Sequence, residues 1–143
     1  MATNYARQVR LSADELTAFL KEAFPAEAQS YGTVLHVGQD HAQMRLDPQV
    51  SMLRPGGIVS GPVQMGLIDV AAYVVVLAHI GPVAMAVTNS LSVTFLRPCR
   101  CEALFADARL LKLGRRLATI DVRLWQSSED RLVAQATVGY ALP

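Results

Sequence analysis

The residues with most chemical promise lie in one short stretch, from Ser60 to Asp69. Ser60-Gly61-Pro62 opens a long apolar run, and Asp69 is the only side chain charged at neutral pH between Val63 and Leu77. Ser60 suits the N-cap of a helix, its hydroxyl accepting from the Val63 amide. Pro62 falls in the first turn, where a missing N–H does little harm. Gly61, Val63 and Gln64 then belong to a helix head whose amides lack internal partners and whose dipole favours negative charge. Such a head is an oxyanion site and a place to bind a substrate carbonyl. Asp69 follows about two turns along the same helix. A carbonyl held at Gly61 would therefore meet the Asp69 of a second copy. Polarisation by main-chain amides, with attack by or through a carboxylate, describes acyl transfer or hydrolysis.

A helix that is apolar on nearly every face is a buried one, so the run up to Ile80 is read as a core helix, ended by Gly81-Pro82. An isolated buried carboxylate is expensive, so Asp69 needs a partner. The elements around this helix follow from period and punctuation. Residues 1–10 read as a loose lead-in. Ser12 and Glu15 make a capping box for a short amphipathic helix carrying Leu16, Phe19, Leu20, Ala23 and Phe24, and Pro25 ends it. Residues 31–37 and 41–46 read as two strands joined at Gly38–Asp40, followed by a Pro/Gly-rich loop to Gly57. From Met85 to Phe95 apolar residues hold the odd positions, interrupted by Asn89, with Thr88, Ser90, Ser92 and Thr94 between them. Asn89 and Ser90 are expected near a partner's helix, positioning Asp69 or water. Three further strands carry Leu104–Leu110, Ala118–Leu124 and Leu132–Tyr140 on their inner faces. The chain is thus one α+β domain, residues 1–143, with about six antiparallel strands around one long helix.

Bulk properties narrow the partners. The 13 Lys+Arg against 12 Asp+Glu point to neither nucleic acid nor an anionic membrane. Apolar content of 52% is high for a soluble domain and predicts self-association. The apolar run from Val70 to Leu77 is too short to span a bilayer, and no secretory signal opens the chain, so a cytoplasmic protein is expected. Cys99 and Cys101, two apart, make a poor disulfide, and His36, His41 and His79 have no ligand spacing. No metal or cofactor is expected.

Three segments, GGxVSGPxxMxxxDVAxYVxVL, VTxxLxVxFLRP and LLKLGRRLAxxxV, resemble the PaaI-like branch of the hotdog-fold thioesterases over roughly residues 31–141. The resemblance implies a hotdog fold, an antiparallel sheet wrapped around a central helix. It also implies a homodimer, or a dimer of dimers, with sheets paired edge to edge and active sites at the interface. The implied substrates are acyl-coenzyme A thioesters. In that family His-Gly-Gly heads the helix, with an acid eight positions after the first glycine. That spacing sets Gly61 on the oxyanion glycine and Asp69 on the catalytic acid. Ser60 replaces the His, Pro62 the second glycine, and Arg54 an Asn often found six residues before the His. Arg97, Lys112, Arg115 and Arg116 are candidates for the coenzyme A phosphates, Arg97 foremost because FLRP belongs to the pattern. The expected activity is hydrolysis of an acyl-CoA thioester. The alternative, motivated by Ser60, is a non-catalytic acyl-CoA binding or sensing module.

Overall fold

The computed structural model describes residues 8–24 and 31–143. Helix α1 (Ala13–Ala23) starts at the capping box: Ser12 Oγ accepts from Glu15 N–H, and Glu15 Oε1 accepts from Ser12 N–H, both at 3.1 Å. Leu16 and Leu20 are its buried stripe, and Phe24 caps it; Pro25 lies outside the described residues. Strands β1 (Thr33–Gly38) and β2 (His41–Leu46) form the first hairpin. β1 begins two residues later than its composition suggests. Gly32 sits at φ +85 directly against the Arg45 carbonyl, a place only glycine can take. At the hairpin's turn Asp40 adopts φ 58, and its N–H donates to His79 Nε2 at 2.9 Å. His79 Nδ1 lies 2.7 Å from Val75 O, which assigns the ring proton to Nδ1. The buried histidine therefore ties this turn to the far end of the core helix.

The segment read as loop contains a small ribbon, β3 (Leu53–Arg54) and β4 (Ile58–Val59), turning through Gly56 and Gly57 at φ +101 and +73. Two-residue strands carry no periodicity, so the sequence shows only their glycines. Core helix α2 (Gly61–Ile80) follows, and Gly81 at φ 95 ends it. Every residue from Val70 to His79 is buried. The helix is long and apolar enough to cross a membrane by length and composition, but most of it is buried inside this domain.

The last four strands are β5 (Val87–Phe95), β6 (Leu104–Leu113), β7 (Leu117–Trp125) and β8 (Leu132–Ala141). With β1 and β2 they make one antiparallel sheet in the order β1-β2-β6-β7-β8-β5. The architecture is the hotdog, a sheet curled around α2. Beneath the helix the sheet is paved with Ala42, Ala106, Ala108, Ala118, Ala134 and Ala136, all buried. Small side chains there let a helix of Leu, Ile and Val approach closely without voids. The back of α2 is partly covered by α1 and the segment before it, where Arg10 N–H donates to Ala78 O at 2.7 Å. Exposed apolar side chains occur at several places, Val50, Leu111 and Leu117 among them, and one group runs along edge strand β5 and its flanks, at Met85, Val87, Phe95 and Leu96.

Candidate active site

The head of α2 is pinned from two sides. Ser60 N–H donates to Met52 O at 3.0 Å, and Val59 N–H donates to Cys99 O, beyond β5, at 2.8 Å. Ser60 is the N-cap, with φ -68 and ψ 154, and its Oγ accepts from Val63 N–H at 3.3 Å. Two expectations change here. The Val63 amide is occupied by Ser60, so it is not open to a substrate. Gln64 is buried, its Nε2 donating to Val59 O at 3.3 Å, and points into the fold rather than toward a ligand. Its Oε1 is the buried side-chain atom left without a partner among the described residues. Pro62 has no N–H. Gly61 is therefore the first-turn amide to which no described residue accepts, at the positive end of the dipole. The half-exposed Phe95 ring stands beside it, 3.4 Å from where a Gly61 Cβ would lie.

Asp69 is half-buried on the same helix. Eight residues at 1.5 Å rise separate it from Gly61 by about 12 Å along the axis, too far for both to touch one carbonyl. Its carboxylate is held within the chain. Thr88 Oγ1 donates to Oδ1 at 2.5 Å, and the Tyr140 hydroxyl lies 2.8 Å from Oδ1 and 3.0 Å from the Asp69 main-chain oxygen. Thr88 and Tyr140 are directly opposed across β5 and β8, so both reach the same face.

Neither Thr88 nor Tyr140 stands out as a site residue in the sequence. β5 carries a bulge between Thr88 and Ser90, with Asn89 as the extra residue. A bulge shifts the alternation by one and re-aims the neighbouring side chain. Strict alternation puts Asn89 on the side facing the helix; the bulge puts Thr88 there instead, where it reaches Asp69 while staying exposed. Within this chain Asn89 leans over Gly139, its Oδ1 2.5 Å from where a Gly139 Cβ would lie, and Ser90 is exposed opposite Gly139. Neither bonds Asp69 of its own chain. Tyr140 follows the expected inward phase, but a period gives no sign of what a phenol will meet.

The cations do not form one cluster. Arg97 follows β5, its Nη1 donating to Leu132 O at 2.7 Å, and lines a cleft of about 470 Å³ together with Arg100, Arg131 and Glu102. Lys112, Arg115 and Arg116 surround the β6–β7 turn, and Arg115 shares a cavity with His79 and Ile80 at the opposite end of α2 from Gly61. Arg54 is exposed on β3, its Nε donating to Pro55 O at 3.3 Å. Burial, with a smaller contribution from Cys101, pushes the Cys99 thiol up to about 11, which keeps it protonated and makes it a poor nucleophile at neutral pH.

The chain's relatives agree with this architecture. The thioesterase superfamily matches residues 56–139, a span that includes both Gly61 and Asp69. A proposed thioesterase from Silicibacter sp. TM1040 has a similar crystal structure, with TM-score 0.87 and 40% identity, 96% of each chain being covered. Zebrafish thioesterase superfamily member 2 superposes with TM-score 0.82 at 17% identity, over 93% of this chain and 99% of that one. The E. coli PaaI protein from the phenylacetic acid degradation operon gives TM-score 0.74 at 17% identity, over 90% and 96%. No curated protein matches significantly in sequence. With the superfamily match covering more than half of its length, and a relative at 40% identity matching nearly all of it, the chain belongs to the thioesterase superfamily.

Proposed function

We propose that the protein hydrolyses an acyl-CoA thioester to the free acid and coenzyme A, a specific case of the thioester hydrolysis its superfamily performs. One observation carries this reading: an unoccupied amide at Gly61 and a braced carboxylate at Asp69, on one helix yet about 12 Å apart. Those groups become a site when two copies oppose them. The β5 edge supports such a pairing, since it carries unpaired main-chain groups and exposed Val87 and Phe95. Edge-to-edge union of two β5 strands would make the homodimer; a dimer of dimers would stack two such pairs.

In this reading Gly61 N–H of one protomer polarises the thioester carbonyl and stabilises the oxyanion. Asp69 of the other either attacks the carbonyl carbon, giving an acyl-aspartyl anhydride that water then opens, or takes a proton from an attacking water. Both routes break the C–S bond, release the thiol of coenzyme A and leave a carboxylic acid. Ser60 supplies the cap, its Oγ accepting from Val63, and its O–H is left to donate elsewhere. Arg97 and Arg100 flank Cys99, whose carbonyl is bonded to Val59 at the helix head, and Arg131 lines the same cleft. They suit the nucleotide phosphates better than Lys112, Arg115 and Arg116 do within one protomer. A non-catalytic acyl-CoA module remains the second reading, favoured by Ser60 and Pro62 at the helix head.

A panel of acyl-CoAs with a thiol reagent separates the two. Thiol release that disappears in Asp69→Asn, with fold and oligomer unchanged, supports the hydrolase. Saturable binding without thiol release supports the binding module. Full turnover by Asp69→Asn on every active substrate removes Asp69 from the mechanism.

A further inference from the structure

The Tyr140 phenol is 3% exposed, so its hydroxyl cannot rely on bulk water and needs an acceptor inside the fold. Asp69 alone supplies two, its Oδ1 at 2.8 Å and its main-chain oxygen at 3.0 Å. A phenol has one hydrogen, so the two acceptors share it. Sharing ties the carboxyl back toward its own carbonyl and restricts the side chain of Asp69. Thr88 adds a second donor to the same Oδ1, while Oδ2 takes no hydrogen bond from the described residues.

We propose that Tyr140 is a positioning residue: it locks Oδ1 of Asp69 against the helix so that Oδ2 alone is presented to the substrate. The inference rests on Asp69 being the catalytic acid of the thioesterase proposed above. Tyr140 is itself held. Its ring stacks on Tyr73, with centroids 6.0 Å apart and planes 28° from parallel. The Tyr73 hydroxyl donates to Ala84 O at 3.1 Å, in the segment that leads into Thr88. The two donors to Oδ1 are thus steadied by one aromatic pair. Burial first, and then the Asp69 charge, raises the phenol far above the usual tyrosine range, so it stays a donor throughout the neutral region.

Tyr140→Phe keeps the ring and deletes the hydroxyl. Loss of a hydrogen bond to a charged group predicts a fall in kcat of roughly ten-fold or more. KM should stay within about two-fold, because Oδ2 and the Gly61 amide still meet the substrate. 3-Fluorotyrosine at position 140 retains the O–H and should restore turnover. An unchanged kcat in Tyr140→Phe, or no rescue by the fluorinated residue, overturns the proposal.

A second readout needs no substrate. In protein labelled with carbon-13 at aspartate carboxyls, the Asp69 signal is the one missing from Asp69→Asn. Tyr140→Phe should move that signal, and fluorotyrosine should move it by changing donor strength while keeping the packing. A signal insensitive to both sinks the positioning role whether or not any thioester is ever hydrolysed. Full activity of Asp69→Asn, by contrast, refutes the thioesterase mechanism and leaves the carbon signal to judge the tether.

Discussion

Replacing Gly61 by proline would delete the proposed oxyanion donor at a helix position that accepts proline, with one local cost: a residue carrying a Cβ in helical conformation before Pro62. Gly61 is the first helical residue of α2, the position where proline's fixed φ is already suitable. Ser60, with φ -68 and ψ 154, holds the extended conformation that a residue before proline requires. No bond within the described residues is lost, because nothing accepts from Gly61 N–H. The added Cβ would meet Phe95 Cζ at 3.4 Å, an ordinary contact. The unfolded chain loses freedom, worth about 0.4–1 kcal/mol, which offsets the strain of a helical residue before Pro62. Removing one oxyanion donor costs about 2.7–4 kcal/mol of transition-state stabilisation, or roughly 100- to 1,000-fold in kcat. Gly61→Ala, which keeps the amide, is the control and should retain most of the turnover. Thiol release at saturating acyl-CoA, alongside thermal melts of all three proteins, makes the comparison. A Gly61→Pro enzyme that melts like the parent and turns over within about three-fold of it would refute the oxyanion role.

Two further outcomes follow from local geometry. Gly32→Ala places a methyl group against the Arg45 carbonyl at φ +85, so left-handed strain and overpacking together should cost at least about 2 kcal/mol. That should lower Tm by roughly 5 °C or more, and an unchanged melt would show that the chain enters β1 differently. Cys101 is exposed whereas Cys99 is buried with its thiol pushed up to about 11, so a thiol reagent at pH 8 should modify Cys101 well before Cys99. Raising the pH toward 11 should raise the thiolate fraction of Cys99 and narrow the gap; equal rates at pH 8, read by mass spectrometry of the folded protein, would contradict its burial.

What could be read from the residues divides along physical lines. Local rules identified α1, where Ser12 and Glu15 satisfy each other within one turn, and α2, whose apolar length has no surface explanation. Period two identified β6, β7 and β8, because each has one face under the helix. Placement of β5 beside β8, rather than beside its sequence neighbour β6, is a long-range pairing that alternation cannot report. The bulge at Asn89 is the sharper case. One extra residue moved the helix-facing position from Asn89 to Thr88, and nothing in VTNSLS marks where the phase slips. Spacing placed Gly61 and Asp69 on one helix and Ser60 as the cap that takes the Val63 amide, but could not show that Thr88 and Tyr140 would hold the Asp69 carboxylate. The four cations named as phosphate candidates do not come together, because Arg97 and the Lys112–Arg116 turn lie at different ends of the sheet.

The central claim is that one copy's Gly61 amide and another copy's Asp69 carboxylate share a substrate, and mixed dimers test it directly. Gly61→Pro and Asp69→Asn chains, carrying different tags, would be co-expressed and the heterodimer isolated by both tags. Each parent homodimer should be nearly inactive. In the heterodimer one site would carry both substitutions and the other neither, so about half of the wild-type thioester hydrolysis per dimer should return. A heterodimer as inactive as its parents would contradict a site shared between copies.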